Sequence, residues 1–215
     1  QLGSGCLIFF LTDTNKTYTI YTTFPCSTPD NETSSGDTDG GPPFLAPVPK
    51  EFFSVGVGYL SAAFLFLSAL DHLIVCTCGK KAYESGLDRS YNIFRWVEYA
   101  LSASVMRVIV GILSGVVDFN QLLLIFGHTA VTMIFGLVFE LENQGKRLQP
   151  DDVRWYTYWL GFVSHTFGWA TIIWYFIQVA SAGNAPGFVY AIVVTVFLLD
   201  LTFPIALGLQ WRAKG

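Results

Sequence analysis

The chain has 215 residues, 52% hydrophobic and 13% charged, with a formal net charge of −4 and a mean hydropathy of +0.47. A soluble domain carries about 25% charged residues, so this composition excludes an ordinary water-soluble globule. The acidic balance, with a pI near 5.2, argues against nucleic acid, which selects a basic surface.

The first apolar piece, Cys6 to Leu11, is too short to cross a bilayer core, which takes about 20 apolar residues. Residues 1–12 therefore read as the end of a first helix or an interfacial segment. The chain opens with neither an initiator Met nor a signal peptide with a charged n-region, and reads as trimmed or processed there.

Residues 13–50 differ in kind, being rich in Thr, Ser, Pro, Gly and Asp. Within them "TYTIYTTF" (17–24) has the β-branched and aromatic character of a strand, and a β-hairpin is expected there. "PDNETSSGDTDGGPP" reads as loop. Two N-x-T glycosylation sequons fall at Asn15 and Asn31 and suggest an extracellular or lumenal face.

From residue 51 to 215 the pattern is that of an all-α, polytopic transmembrane bundle. Five runs are long enough to span: about 52–78, 93–117, 119–141, 155–180 and 187–211. The second and third are joined by a tight hairpin through Val117 to Asn120. Helix contacts are expected at small residues, among them Gly111, Gly115, Gly127, Gly136 and Gly161.

Charge placement gives an orientation. With loop 13–50 outside, the inner ends hold Lys80, Lys81, Arg89, Arg95, Lys146, Arg147, Arg154, Arg212 and Lys214. The outside then holds only Lys16 and Lys50. This excess matches the positive-inside rule and puts the C-terminal end of the chain in the cytoplasm. Cys6 and Cys26 lie on or near the outer side, where an oxidising compartment would let them pair. Cys76 and Cys78 sit at an inner helix end, a place for S-palmitoylation or for plain helix-end residues. No Cys/His set has zinc spacing, so no metal site is expected. The sequence holds no Walker loop, dinucleotide fingerprint or nucleophile elbow.

Ionisable residues inside spans are costly and are functional candidates by default. Glu98 lies about 8 Å from the inner end of its helix, and Asp71 and His72 lie at a similar depth. With Arg95 they form one expected inner cluster, or a network that snorkels to the interface. Arg107, His128, His165 and Asp200 lie deeper, about 14–20 Å from the nearer helix end. Nine residues separate Glu98 from Arg107, which puts the two on opposite faces of the helix. If Glu98 faces the centre, Arg107 is expected to face outward, towards His128, Asn120, Asp200, a lipid headgroup or another subunit.

"NIFRWVEYALSASVM" (92–106) resembles the third helix of heliorhodopsins, retinal proteins inserted upside down relative to other microbial rhodopsins. It departs from the family pattern at Ala100. "FLSALDHLIV" (66–75) resembles the preceding helix, with His72 at a family histidine. "IFGHTAVTMIFG" (125–136), "WLGFVSHTFGW" (159–169) and "PGFVYAIVVTVFLL" (186–199) resemble the fourth, fifth and sixth. The resemblance runs from about residue 51 to 211, and the charge-derived orientation is the family's.

The resemblance implies a seven-helix rhodopsin-like bundle, of which five complete helices lie in this chain. It implies that Glu98 is the counterion of a protonated Schiff base of all-trans retinal. His72, Tyr99, Ser102 and Arg95 would belong to the polar cavity beside it, and Gly136, Trp169 and Phe203 would line or abut the polyene pocket. It further implies a light sensor without net ion pumping, a homodimer or larger membrane assembly in the lipid bilayer, and no enzymatic turnover.

The departures matter too. The family's retinal lysine sits on the seventh helix, and Lys16, Lys50, Lys80, Lys81, Lys146 and Lys214 all lie outside the spans. The chain is therefore expected to be a fragment, or to have lost that helix and its chromophore. Asp71, Arg107, His128, His165 and Asp200 stand where the family is expected to carry neutral residues. Beside the photoreceptor, two readings follow. One is a chromophore-free subunit of a larger membrane complex, favoured by the missing lysine and an outward Arg107. The other is a light-gated ion or proton channel that uses those groups as a relay or interface.

Overall fold

Each of the five apolar runs folds as a helix in the computed structural model, which describes residues 1–13, 16–26, 46–144, 152–183 and 186–213. The sequons at Asn15 and Asn31, the loop 27–45, and Lys146, Arg147 and Lys214 lie outside the described residues. In chain order the elements are α1 (Leu2–Leu11), β1 (Tyr18–Cys26), β2 (Ala46–Val55), α2 (Val57–Cys76) and α3 (Lys80–Asp88). Then come α4 (Ile93–Leu113), α5 (Phe119–Glu142), α6 (Tyr156–Ser181) and α7 (Gly187–Ala213). Among the described residues α2, α4, α5, α6 and α7 are long and apolar enough to cross a membrane.

The first run begins five residues later than expected, because its start belongs to a strand. β2 pairs antiparallel with β1, with Tyr18 opposite Val55 and Ile20 opposite Phe53, and a register shift falls between Ile20 and Tyr21. The hairpin seats on one end of the bundle. Ile20 is fully buried in the core with Val110, Ile112, Val116 and Leu122. The Tyr21 amide donates to the Val117 carbonyl at 2.8 Å, tying the hairpin to the α4–α5 turn. Cys6, the expected partner of Cys26, is a free thiol.

The second run ends at Leu113 rather than 117 because the chain reverses at Gly115. That glycine has φ +95°, a left-handed conformation that closes helices and disfavours side chains. The Val116 amide reaches back to the Gly111 carbonyl at 2.9 Å. Asp118 then caps α5, accepting from the Gln121 amide at 3.1 Å, which satisfies one of the helix's orphan donors. Asn92 does the same for α4, accepting from the Arg95 amide at 3.1 Å. The short helix α3 has no counterpart in the sequence reading.

α4 runs through the middle of the bundle, packed against α2 on one side and α5 on the other, with α7 also leaning on it; α6 packs on α5 and α1 on α2. Small residues permit the close approaches. A Cβ on Gly111 would meet Ile125 at 3.3 Å, one on Gly161 would meet Phe135 at 3.3 Å, and one on Gly136 would overlap the Trp96 ring at 2.2 Å. Gly127, expected at a contact, has nothing within 4 Å of its Cβ position, and Gly115 serves the turn instead. Leu123, Leu124, Trp159, Val163 and Trp174 stay exposed, which suits an apolar lipid surround rather than water.

Candidate functional site

Two adjoining cavities lie beside α4. The larger, about 640 Å³, opens between α2, α4 and α7, and its polar wall includes Ser68, Asp71, His72, Glu98, Ser102 and Asp200. The smaller, about 240 Å³, lies between α4, α5, α6 and α7 and is mostly apolar, with Trp96, Gly136, Phe162 and Phe203 in its wall. Arg95, Tyr99, Met133, Asp200 and Phe203 line both, so the two cavities are immediate neighbours.

The helix period explains how one element serves both spaces. Trp96 and Tyr99 are three apart and Glu98 and Ser102 four apart, so each pair shares a face of α4. Glu98 is half-buried in the larger cavity, and it makes no hydrogen bond or ion pair among the described residues. Ser102, one turn on, is buried. His72 is exposed, with Nδ1 2.8 Å from the Ser68 carbonyl of its own helix. Asp71 is next to it in the chain and lines the same cavity. Three members of the expected inner cluster thus share one cavity wall.

Arg95 also touches that wall, but its charge is spent elsewhere. Its guanidinium bonds the Glu140 carboxylate and lies 5.1 Å from the centre of the Trp96 ring. Glu140 is 3% exposed, and its other oxygen accepts from the Asn92 amide at 3.1 Å. The sequence reading missed Glu140. An acid in the last turn of an apolar run looks like a helix end, and only the pairing of α4 with α5 buries it.

The deeper group resolves into a cluster and an outlier. Arg107 is 2% exposed, so the expectation that it faces outward is corrected. The physical reason is that α4 is central, so both of its faces are interior. Arg107 bonds Asp200 Oδ2 and sits 4.6 Å over the Trp169 ring. Trp169 Nε1 donates to the same oxygen at 2.7 Å, and His165 Nδ1 lies 3.6 Å from it. Three residues from α4 and α6 therefore converge on one carboxylate of α7. His128 is the outlier: its Nδ1 lies 3.2 Å from Ser164 Oγ, the bond of a satisfied core residue.

Of the three expected pocket residues, Gly136 and Phe203 line the smaller cavity. Trp169 lies in neither wall and touches the region through Asp200. Gly136 has a clear role, since any side chain there would displace the Trp96 ring. Pro204, inside α7 and in the same wall, has no amide hydrogen for the Asp200 carbonyl four residues earlier. The Tyr158 hydroxyl ties this stretch to α6 by donating to the Pro204 carbonyl at 2.8 Å.

An aromatic-walled cavity next to one that holds a carboxylate unpartnered among the described residues fits a long apolar ligand with one cationic end. Among the described residues no group of acids, His and Cys could hold a metal ion. A protein-family model described as heliorhodopsin matches residues 1–215. A search of curated proteins finds no match to the chain. The chain belongs to the heliorhodopsin family. With that membership, the five apolar helices make it an integral, multi-pass membrane protein with a rhodopsin-like helical bundle. The family implies a retinal-binding, photoreceptor-like protein.

Proposed function

We propose that this heliorhodopsin-family chain builds the pocket of a retinal light sensor, with Glu98 as the counterion of the protonated imine. When bound, retinal supplies visible absorption and a photoisomerisable polyene with a positive end. One observation carries the reading. Of the three carboxylates in the cavity walls, Asp200 is engaged by Arg107 and Trp169, Glu98 and Asp71 make no hydrogen bond or ion pair among the described residues, and of these two it is Glu98 that stands on α4, the helix that lines both cavities. A lone carboxylate in low dielectric is expensive unless a cation meets it, and an anion nearby keeps a buried imine protonated.

The imine needs a lysine, and Lys16, Lys50, Lys80 and Lys81 all stand outside the spanning helices. The larger cavity opens between α2 and α7, the two least buried spans. A lysine-bearing helix entering there would reach Glu98. The hairpin end is assigned outside, because Lys80, Lys81, Arg89 and Arg95 gather at the other end. Asn15 and Asn31 are then glycan acceptors on the outer side, and a homodimer follows the family.

The chromophore-free reading loses one of its two supports once Arg107 turns inward. Light-gated proton conduction keeps some, since Asp71, His72, Glu98, His165 and Asp200 line adjoining cavities. It expects photocurrents that fall in Asp200→Asn. The test of the leading reading is the visible spectrum of the natively expressed protein, before and after hydroxylamine in light. A band that hydroxylamine bleaches is the expected result. No band, even after added retinal, sinks the proposal.

A further inference from the structure

His165 is an anomaly in the smaller cavity. The wall around it is mostly apolar, yet His165 is 7% exposed and its Nε2 is buried with no partner among the described residues. Its other nitrogen faces Asp200 Oδ2 at 3.6 Å. That carboxylate already has Arg107 as its cation and Trp169 as a donor, so the site needs no second positive charge. A neutral ring with its proton on Nδ1, the nitrogen nearer Asp200, leaves Nε2 as an acceptor, since the two ring nitrogens of a neutral imidazole take opposite roles. A buried acceptor without a donor carries a desolvation penalty.

The direction of a bound polyene follows from the walls. Glu98 lines the larger cavity and not the smaller, so the imine end lies in the larger one. The polyene then passes Tyr99, Met133 and Phe203, which line both, and its ring end reaches the smaller cavity and His165. We propose that the smaller cavity selects a polyene aldehyde with a hydroxyl on its ring, which donates to His165 Nε2. This rests on the retinal reading above and specifies its ligand. Asp200, through His165, is a positioning residue for that contact, and the Arg107 pair holds it in place.

The natively expressed protein is bleached with hydroxylamine and regenerated with an equimolar mixture of retinal and ring-hydroxylated retinal. The bound aldehydes are extracted and their ratio is measured by chromatography. The hydroxylated form should be enriched about tenfold, the scale expected for satisfying one buried acceptor. A ring-methoxy analogue, which has no proton to donate, should show no enrichment. His165→Phe should bring the ratio close to one, and His165→Gln, which keeps an acceptor, should restore a preference.

A ratio near one in the unsubstituted protein overturns the inference and leaves Nε2 to an ordered water bridging to Asp200. Equal enrichment of the methoxy analogue, or a preference that survives His165→Phe, overturns it as well. If His165→Phe does not fold, the hydroxy and methoxy ratios of the unsubstituted protein decide alone. If neither aldehyde binds, the retinal reading itself fails. That outcome is distinct from binding without selectivity, in which the retinal reading stands and only this inference falls.

Discussion

Asp200 and Glu98 both reach the cavities of the bundle, yet one is held from every side and the other is not. Asp200 receives Arg107 and Trp169 on a single oxygen, with His165 close by. Glu98 meets no donor among the described residues. A charge buried with its partners locks helices together, here α4, α6 and α7. A charge left without a partner inside a membrane protein invites a cation from elsewhere, and that is the ground on which Glu98 is proposed as the counterion. The same contrast separates Glu140, clamped by Arg95 and Asn92, from Asp71, which faces the open cavity.

The contrast breaks most visibly at the held end. Arg107→Met strands Asp200 as a buried anion and should cost about 3–5 kcal/mol, read from unfolding in detergent micelles. Replacing both partners with apolar residues, Arg107→Met with Asp200→Leu, should recover most of that loss. If the single variant is as stable as the double, the pair is not the lock described here. A smaller loss, about 1.5–3 kcal/mol, is expected for Glu140→Ala by the same assay, because charged hydrogen bonds to Arg95 and the Asn92 amide disappear.

Gly136→Val sharpens the comparison from the apolar side. The new side chain must displace the Trp96 ring, an overpacking cost of about 1–3 kcal/mol, and a ring pushed into the smaller cavity should lower retinal uptake. Retinal titration of the variant against the unsubstituted protein measures this. The smallest stability effect belongs to Glu98→Gln, within about 0.5 kcal/mol without ligand, since Glu98 makes no contact to lose. A large destabilisation there would mean that Glu98 belongs with the structural carboxylates after all.

Much of this molecule was legible in its sequence. All five spans fall within a few residues of the apolar runs, because membrane length and hydropathy leave little choice. The strand at 17–24 was legible from its β-branched alternation. Its partner was not: Pro47 and Pro49 disguise β2, and three apolar residues, Phe52, Phe53 and Val55, suit a helix start as well as a strand. α3 was missed because a nine-residue polar helix has no spanning signal.

The site divides in the same way. Glu98 stood out in the sequence because a motif carries it, and it lines the larger cavity. Arg107 was misplaced because face arguments on a single helix assume one buried side, and α4 has two. Its pairing with Asp200 joins residues 93 positions apart, and helical periodicity has no information at that range. Glu140 was hidden for the complementary reason, since its burial depends on how α4 and α5 meet.

The most direct test of Glu98 is a pH titration of the visible band, comparing the natively expressed protein with Glu98→Gln. Removing the anion should lower the imine's affinity for its proton. The variant should therefore lose its visible band and absorb in the near ultraviolet at a pH where the unsubstituted protein keeps its band. An unchanged band and an unchanged titration in Glu98→Gln would show that another group neutralises the imine, and the assignment of Glu98 would fall.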